Sequence, residues 1–457
     1  MTETIKCAKP TEKIFQNFSE MTDTSLLNSS LTQDAARFSF MGMEPFLVIK
    51  GKGTKLTLKT KNGTFSLKQN PFDFLKKIFD NVRVKNPTSF PFSSGGIGYF
   101  AYDLKNILED LPTFSKDDLL LPDIYFVFYR CILARDNSHP DKVHINVLDI
   151  DSPGHLKTKE IISMVKDGLR RIRLRDKKIY TKKPVHALTS NFSRTGYIKA
   201  VKHVIDYIHA GDIYQACLSQ RFKTKCYLPP YELYLKLNRL SPSPFSAYLN
   251  FENCKVISSS PELFLRLREN ILETRPMKGT RPRGKNNAED LALKKDLMKS
   301  PKDAAELAMI VDLERNDLGK VSVPGTVKVV ERKKLETYPT VFQTVSVIKS
   351  RISSATGPID IVKAAFPGGS ITGCPKIRAM EIIDELEPTC RSVYTGATGY
   401  ISFHGTMDLN VAIRTMIMKK NNVYFQTGGG IVADSDPAKE YEETLHKARA
   451  MMEALGA

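Results

Sequence analysis

Residues 241–251, SPSPFSAYLNF, and residues 256–267, VISSSPELFLRL, are two runs rich in apolar residues and broken by polar turns. Runs bounded by turn residues are typical of neighbouring β-strands. They lead into residues 274–284, TRPMKGTRPRG, whose two prolines restrict the backbone on either side of Lys278. The pattern predicts a stiff loop that extends from a sheet and aims one amine. The alternative is a surface lysine in a chain with 68 Lys and Arg residues.

The first part of the chain has the pattern of a β-rich scaffold. Residues 37–53 alternate as a strand does, residues 91–104 form a glycine-rich turn that enters an aromatic strand, and residues 123–136 form a continuous apolar run. The basic stretch between Lys157 and Lys183 is interpreted as a solvated linker helix. Residues 195–210 then show the apolar spacing of a helix that stops at Gly211.

Residues 303–319, DAAELAMIVDLERNDLG, are apolar on nearly every side, which predicts a buried helix. Glu306 lies in its middle, where an ionised carboxylate must be paired or must bind a cation. A salt bridge to a neighbouring arginine is the alternative. An amphipathic helix is expected from Lys376 to Leu386, and Arg414 interrupts an apolar run, where it requires a buried anion from the protein or from a ligand.

The last predicted element is a helix that Ser435 or Asp436 would cap. Glu440, Glu443 and Lys447 share one of its faces, as functional groups or as an exposed ion pair. Residues 428–430, three glycines just ahead of it, would either offer backbone N–H groups to an anion or form a plain turn.

Composition narrows the function. The 457 residues are 41% hydrophobic and 26% charged, an ordinary globular balance, and no run is long and apolar enough for a signal peptide or a membrane helix. The seven cysteines form no C-x-x-C pair, so a cytoplasmic protein without disulfides or structural zinc is expected. The net charge of +18 suits an anionic small substrate, whereas no nucleic-acid-binding motif accompanies it.

Five stretches occur in the order and spacing typical of the chorismate-utilising enzymes, which the chain resembles densely from residue 195 to about 455. They are PMKGTRPRG, ELAMIVDLERNDLG, FPGGSITGCPKIRAMEIIDELEP, GATGYISFHGTMDLNVAIRT and GGGIVADSDPAKEYEETLHKA. The resemblance implies an α/β (α+β) fold like that of anthranilate synthase component I, a large layered antiparallel β-sheet sandwich with helices outside. Residues 1–190 would form the scaffold region and residues 191–457 the chorismate-binding catalytic region, with the two interleaved in space.

Three positions favour one branch of the family. Lys278 stands where anthranilate synthases typically carry alanine, and a lysine there is typical of aminodeoxychorismate synthase large subunits. Gln215 stands where isochorismate and salicylate synthases carry the lysine that activates water. Gln343 replaces a histidine that anthranilate synthases place beside the substrate ring. The resemblance implies an enzyme that aminates chorismate to 4-amino-4-deoxychorismate for 4-aminobenzoate and folate biosynthesis; anthranilate synthase, which releases anthranilate and pyruvate, is the alternative.

The resemblance also implies roles for individual residues. Lys278 would attack the ring as a neutral amine with a lowered pKa, and Glu262 would protonate the leaving hydroxyl with a raised pKa. The expected Mg²⁺ ligands are Glu306 and Glu443, with Glu440 acting through water. Arg414 and Tyr400 would hold the enolpyruvyl arm. The other substrate contacts are expected from Gly279, Thr280, Ser370, Gly428, Gly429, Gly430 and Lys447.

Partners follow from the same resemblance. The chain has no G-x-C-x-G nucleophile motif, so ammonia is expected from a separate glutamine amidotransferase subunit. No nucleic acid or membrane partner is expected. The tryptophan-regulated relatives carry an L-L-E-S motif where this chain reads LLNS at 26–29. The candidate effector residues are Ser29, Arg37, Pro244, Phe245 and Ser246.

Overall fold

A computed structural model describes residues 1–31, 36–150, 156–170, 187–339 and 341–457. These residues form 22 strands joined in one hydrogen-bonded network, with helices packed around it. The strands are β1 Thr2–Lys6, β2 Thr24–Asn28, β3 Phe38–Lys52, β4 Lys55–Thr60, β5 Gly63–Lys68, β6 Gly95–Phe100, β7 Ile124–Asp136, β8 Lys142–Val147, β9 Thr189–Ser190, β10 Gln215–Lys225, β11 Phe245–Asn250, β12 Lys255–Ser260, β13 Leu263–Arg268, β14 Ile271–Arg275, β15 Met277–Pro282, β16 Lys328–Thr337, β17 Val341–Arg351, β18 Gly373–Cys374, β19 Ala397–Ser402, β20 Met407–Val411, β21 Thr415–Lys419 and β22 Asn422–Ile431.

The helices are α1 Thr11–Phe15, α2 Pro71–Asn81, α3 Lys105–Leu108, α4 Thr158–Arg170, α5 Arg194–His209, α6 Pro230–Leu240, α7 Asn287–Lys299, α8 Pro301–Gly319, α9 Pro358–Ala365, α10 Lys376–Leu386 and α11 Pro437–Leu455, with short 3₁₀ helices at Tyr102–Leu104 and Gly369–Ile371. The strand pairings are antiparallel in the described part of the chain. The predicted mixed fold dominated by a layered antiparallel sheet is therefore confirmed.

β7 shows why a continuous apolar run forms a strand here. It pairs with β3 along nearly its whole length, and successive side chains point to opposite faces. Phe126 and Phe128 pack into one hydrophobic core, while Tyr125 and Val127 pack into another. A strand covered on both faces has no polar side to show, so its sequence does not alternate.

Strands from the two predicted regions pair with each other. β2 pairs with β11, and β6 pairs with β19. The division at residue 190 stays a prediction, and these pairings show strands of both segments sharing one sheet network.

Of three helix predictions, two are confirmed and one is wrong. α10 spans the predicted Lys376–Leu386, and α5 ends just before Gly211. The prediction that α8 is buried all round is wrong. Only one stripe of α8 is buried, because it packs by one face on the strands β15 to β17 and shows the other to solvent.

The basic stretch is only partly described. α4 buries Ile161 and Val165 against the core and is therefore a packed helix on that face. The remainder of the predicted linker, residues 171–183, lies outside the described residues.

Two findings on the described residues bear on the predictions about membrane helices and disulfides. Among them, the helices are too short or too polar to cross a membrane. The seven cysteines are all free thiols.

Candidate active site

Lys278 lies on β15, at an irregularity in its pairing with β17. The register shifts between Lys278 and Thr280, and Gly279 takes φ +82°, a conformation that glycine adopts without strain. The Thr344 hydroxyl donates to the Lys278 carbonyl oxygen and holds this bulge. The bulge turns the lysine toward Glu306 of α8, and the Nζ to Oε2 distance is 2.7 Å. The lysine is therefore aimed inward, as the sequence predicted, but from a strand paired in the sheet, so the predicted loop is wrong.

The predicted pKa of Lys278 is wrong in direction. Burial is the largest single influence and lowers the pKa of this amine, but the carboxylate of Glu306, together with Cys217 and Glu443, outweighs burial, and the pKa is raised above its ordinary value. The amine is held as an ammonium ion while this contact lasts. The salt bridge expected as the alternative for Glu306 is made, with Lys278 in place of an arginine.

Glu262 lies between β12 and β13 and is 5% exposed. Ser370 donates its hydroxyl proton to Oε1 at 2.6 Å, and the backbone N–H of Met277 also donates to the carboxyl group. Burial raises the pKa of Glu262 to about 7, despite these hydrogen bonds and the positive charge of Lys278. The expected direction of this pKa is confirmed, and the role as an acid stays a prediction.

A second buried carboxyl group supports the loop that carries Ser370. The backbone N–H of Gly369 donates to Glu314 Oε1 at 2.9 Å. Burial and the charge of Asp317 raise the pKa of Glu314. Sequence reasoning missed Glu314, although its position two turns after Glu306 on the buried stripe of α8 was a usable signal.

Two carboxylates of α11 face the glycines of β22. Asp436 caps this helix with Pro437 at its start, as predicted. A Cβ on Gly429 would lie 3.0 Å from Glu440 Oε2 and 3.5 Å from Glu443 Oε1. Burial raises the pKa of Glu440, whereas the charge of Lys447 lowers the pKa of Glu443.

The three glycines lie inside β22, so the plain turn is wrong, and their role in binding an anion stays a prediction. Gly428, Gly429 and Gly430 pair with β10, while β21 pairs with β22 only as far as Phe425. A Cβ on Gly430 would stand 2.9 Å from Lys278 Nζ and 3.0 Å from the side-chain amide of Gln215. Because these three glycines have no side chains, this part of β22, the glycine edge, leaves room for the groups that converge on it.

Lys447 has protein partners for its charge. Its ammonium group contacts Glu443 Oε1 at 2.7 Å and donates to the Gly428 carbonyl oxygen at 2.9 Å. The ion pair that the sequence offered as the plain alternative is therefore present. It lies beside the glycines rather than on a remote surface.

The predicted Mg²⁺ ligands are near one another without forming a finished cation site. In the described part of the chain, no group of three His, Cys, Asp or Glu side chains is arranged to hold a metal ion. Glu440 and Glu443 share the space over Gly429, whereas Glu306 is held by Lys278. Carboxylate oxygens are the donors that Mg²⁺ prefers, so the donor set fits the ion once Glu306 leaves the lysine.

Arg414 sits between β20 and β21, where it interrupts the apolar run. It takes φ +49°, and burial lowers the pKa of its guanidinium group. Burial raises the pKa of the nearby Tyr338; the charge of Arg414 opposes this rise, and the charge of Glu262 adds to it. No described side chain forms an ion pair or hydrogen bond with this guanidinium, so the protein carboxylate offered as one partner is not found among the described residues.

The side chains gathered around Lys278, namely Glu306, Glu262, Ser370 and those facing residues 428–430, are called the Lys278 group. Tyr400 lies away from this group, contrary to its predicted role. It lines a separate cavity of about 270 Å³. There it stacks on Phe92 with a centroid distance of 4.4 Å, and Arg268 donates to its hydroxyl oxygen at 2.7 Å. A sequence motif locates a residue along a strand but not the face to which it points, and this one points to the other side.

The five candidate effector residues line this same cavity, together with Arg266, Arg268 and Asp408, which sequence reasoning missed. A ligand for the cavity stays a prediction.

Near the Lys278 group, sequence reasoning missed Tyr394. Its side chain is almost fully buried beside Ser219 and Cys217. Burial raises the pKa of the Cys217 thiol, and the positive charge of Lys278 opposes this rise.

A family model described as "chorismate binding enzyme" matches residues 26–453. The chain belongs to the chorismate-binding enzyme family. It is 38% identical over 455 residues to anthranilate synthase component 1 of Acetivibrio thermocellus, covering 97% of this chain and 92% of that protein. It is 37% identical over 423 residues to aminodeoxychorismate synthase component 1 of Bacillus subtilis strain 168, covering 92% and 89%.

A third family member, aminodeoxychorismate synthase component 1 of Escherichia coli K12, is 35% identical over 451 residues, covering 97% of this chain and 96% of that protein. The structure resembles that of anthranilate synthase component I from Streptococcus pneumoniae TIGR4, with a TM-score of 0.80, 32% identity and coverage of 92% and 93%. Overall identity thus establishes a chorismate-utilising enzyme and does not separate the two activities.

Proposed function

We propose that this chain is the large subunit of an aminodeoxychorismate synthase, which converts chorismate and ammonia to 4-amino-4-deoxychorismate. The observation that carries the proposal is the placement of the Lys278 amine and the carboxylates of α11 at the glycine edge of β22, with the buried carboxyl of Glu262 near enough to Lys278 for their charges to interact. A nucleophile, an acid and carboxylates that can hold a cation for the substrate's own carboxylates are what the exchange of a ring hydroxyl requires.

In the proposed reaction, the Lys278 nitrogen forms a bond to ring carbon C2. The ring double bond migrates, and the C4 hydroxyl leaves as water with the proton of Glu262. Ammonia then adds at C4 and gives up one proton, which restores Glu262 to its protonated form; the double bond returns, and the C2–N bond breaks to release the neutral lysine amine. The enolpyruvyl ether stays intact, so no pyruvate forms.

Lys278 must first lose its proton and its contact with Glu306. Burial favours the neutral amine, so loss of the Glu306 contact moves the pKa of Lys278 in the direction that the reaction needs. Glu262 already has the required character, because a carboxyl group with a pKa of about 7 is partly protonated at neutral pH.

We propose Mg²⁺ as the cofactor, held by Glu306 and Glu443 with Glu440 nearby. When bound, it would neutralise the ring carboxylate and withdraw electron density from the ring. We assign the other substrate contacts to Arg414, which has a charge without a described protein partner, and to Thr280 and Ser370. We further propose that a glutamine amidotransferase subunit supplies the ammonia, and that the complex acts in the cytoplasm on the route to 4-aminobenzoate and folate.

Anthranilate synthase is the second candidate, because relatives of similar identity bear that name. Gln343 supports the first candidate over it. Its amide donates to the Thr280 hydroxyl oxygen at 3.3 Å across the β15 to β17 pairing. A glutamine amide does not accept a ring proton at neutral pH, whereas the histidine expected in anthranilate synthases does.

Product analysis decides between the candidates. The full chain is incubated with chorismate, MgCl₂ and ammonium at about pH 8, where some free ammonia is present, and the products are separated by mass spectrometry. We expect 4-amino-4-deoxychorismate without pyruvate. Fluorescent anthranilate with an equal amount of pyruvate would overturn the proposal in favour of the second candidate.

A further inference from the structure

A second cavity is lined by residues other than those of the Lys278 group. Its volume is about 780 Å³, within the range of small-molecule sites, and its wall is formed by the β3 to β4 turn, the loops at residues 120–122 and 252–255, and the β21 to β22 turn. Six lysines line it, against a single acidic residue, Glu252. They are Lys50, Lys52, Lys55, Lys255, Lys419 and Lys420.

Two of these lysines are neutralised by the protein. Lys50 contacts Glu252 at 2.9 Å. Lys52 contacts Asp117 at 2.6 Å and Asp123 at 2.7 Å, and these carboxylates raise its pKa. Their charges are therefore balanced before any ligand arrives.

The other four have no carboxylate within ion-pair distance among the residues that the structure describes. Lys255 Nζ donates to the Phe251 carbonyl oxygen at 2.6 Å, and Lys419 Nζ donates to the Leu119 carbonyl oxygen at 2.6 Å. An ammonium group has three donors, so each has two more to offer. Burial lowers the pKa of Lys255, as expected where no bonded anion compensates for the lost water.

Like charges converging on one cavity repel each other, and a bound anion relieves this repulsion. The carbonyl contacts hold two of the ammonium groups in place, so little side-chain entropy remains to be lost when an anion binds. The arrangement differs from that of scattered surface lysines, which are free to move apart.

One wall of the cavity is apolar and includes Leu120, Leu121 and Met418. Leu120 is 73% exposed and takes φ +49°, which a leucine adopts only at a cost in strain. An exposed leucine beside an ammonium cluster offers a surface for a flat ring next to a site for phosphates.

We infer that this cavity binds a nucleoside polyphosphate, with its phosphates on Lys255, Lys419 and Lys420 and its base against Leu120. A binding site for such a ligand lies outside the proposed reaction on chorismate. The inference therefore stands whether that reaction or the anthranilate alternative proves correct.

The test is calorimetric titration of the full chain with ATP, adenosine and inorganic tripolyphosphate as separate probes. We expect saturable binding of ATP, weaker binding of tripolyphosphate because it lacks the base, and weak binding of adenosine because it lacks the charges. Higher ionic strength should weaken the binding of both anions. Failure of ATP to bind, or equal binding of ATP and tripolyphosphate, overturns the assignment.

Matched variants locate the site. Lys255→Gln with Lys419→Gln removes two charges and keeps a side-chain donor for each carbonyl oxygen, so we expect ATP affinity to fall about a hundredfold at an unchanged melting temperature. Lys55→Ala with Lys420→Ala alters exposed lysines only, and should weaken ATP at least fivefold without a folding risk. Lys202→Ala on exposed α5 is the control and should bind as the unaltered chain does.

The inference is overturned if both double variants bind ATP as the unaltered chain does. It is also overturned if ATP binding is lost in Lys278→Ala and kept in the double variants, since the nucleotide would then occupy the chorismate site. Binding of poly-glutamate without ATP would overturn it in favour of an acidic protein partner.

Discussion

Lys278 and Lys255 are two partly buried lysines whose charges are controlled in opposite ways. Lys278 faces the carboxylate of Glu306, and its pKa is raised; Lys255 hydrogen-bonds a backbone carbonyl, and burial lowers its pKa. Burial acts in the same direction on both. The difference shows that a bonded carboxylate, rather than burial alone, decides the charge state of a buried amine.

Glu262 is the acidic counterpart of Lys255. Its bonded partners are a hydroxyl group and a backbone N–H, which carry no full charge, so burial dominates and its pKa rises to about 7. The site thus holds one charged amine and one acid poised near neutrality within a single cluster. The proposed chemistry depends on this contrast.

The largest expected effect comes from removing the nucleophile. Lys278→Ala should reduce formation of 4-amino-4-deoxychorismate by roughly 10³-fold or more, because no other amine occupies the bulge of β15. Lys278→Arg is the matched control: it keeps the charge beside Glu306 but offers no nucleophile, and should be equally inactive. Retention of more than a tenth of the activity in either variant, measured by mass spectrometry, would end the assignment.

The proton donor has the next largest effect. Glu262→Gln should lower the rate by about 10²- to 10³-fold, since an amide cannot protonate the leaving hydroxyl. Glu262 acts in its protonated form, whereas Lys278 and ammonia act in their unprotonated forms, so at a fixed concentration of free ammonia the rate of the unaltered chain should rise less steeply above about pH 7 than that of the variant. Rate profiles of both chains measured from pH 6 to 9 should therefore diverge above pH 7. Parallel profiles would place the acid elsewhere.

The same variant reports on stability. The pKa of Glu262 is raised on folding from 4.5 to about 7, so the protonated form is stabilised and this contribution is lost as pH rises through the folded value. Glu262→Gln should therefore match the unaltered chain near pH 4 and exceed it at pH 8, by at most about 3 kcal/mol in the free energy of unfolding. Denaturant titrations at both pH values measure the difference, and a less stable variant at pH 8 would contradict the assigned burial.

Crowding the glycine edge should have a smaller effect. Gly430→Ala would place a methyl group 2.9 Å from Lys278 Nζ, and displacement of the amine by such a contact should cost about 10²-fold in rate. Gly319→Ala is the matched control, since a Cβ there meets nothing within 4 Å. Equal activity of the two variants would show that the lysine does not act from its position beside β22.

The smallest expected effect tests the contrast between the pKa values of Lys278 and Lys255. Dimethylation with ¹³C-formaldehyde labels the lysines for titration by NMR, and single Lys→Arg variants assign the signals. The pKa of Lys255 should lie below the ordinary value of a lysine, and the pKa of Lys278 above it. A reversed order would mean that Glu306 does not hold Lys278 in solution.

Predictions from local sequence patterns were correct where the structural outcome depends on residues close together in the chain. The bounds of α10, the end of α5 before Gly211, the Asp436 cap and the β-rich scaffold all follow from spacing, capping and turn residues. The ordered motifs also identified the chorismate-utilising family, which the comparisons confirm.

The same rules failed wherever a neighbour distant in sequence sets the outcome. A plain turn was one of two alternatives for residues 428–430, but pairing with β10 makes them a strand. Tyr400 had a plausible motif position, but its strand turns it toward Arg268 in another cavity. The apolar composition of α8 suggested full burial, although the sheet covers only one of its faces.

The amino-acid sequence alone determined the family and the strand-rich scaffold, and it supplied the proposed nucleophile, acid and carboxylates, because these follow from local pattern and motif. Only the tertiary structure decided their charge states, the separation of Tyr400 from the Lys278 group, and the gathering of lysines around the large cavity. Those properties depend on which groups from distant parts of the chain approach within a few ångströms, and the electrostatic and desolvation energies that set a pKa arise from such contacts.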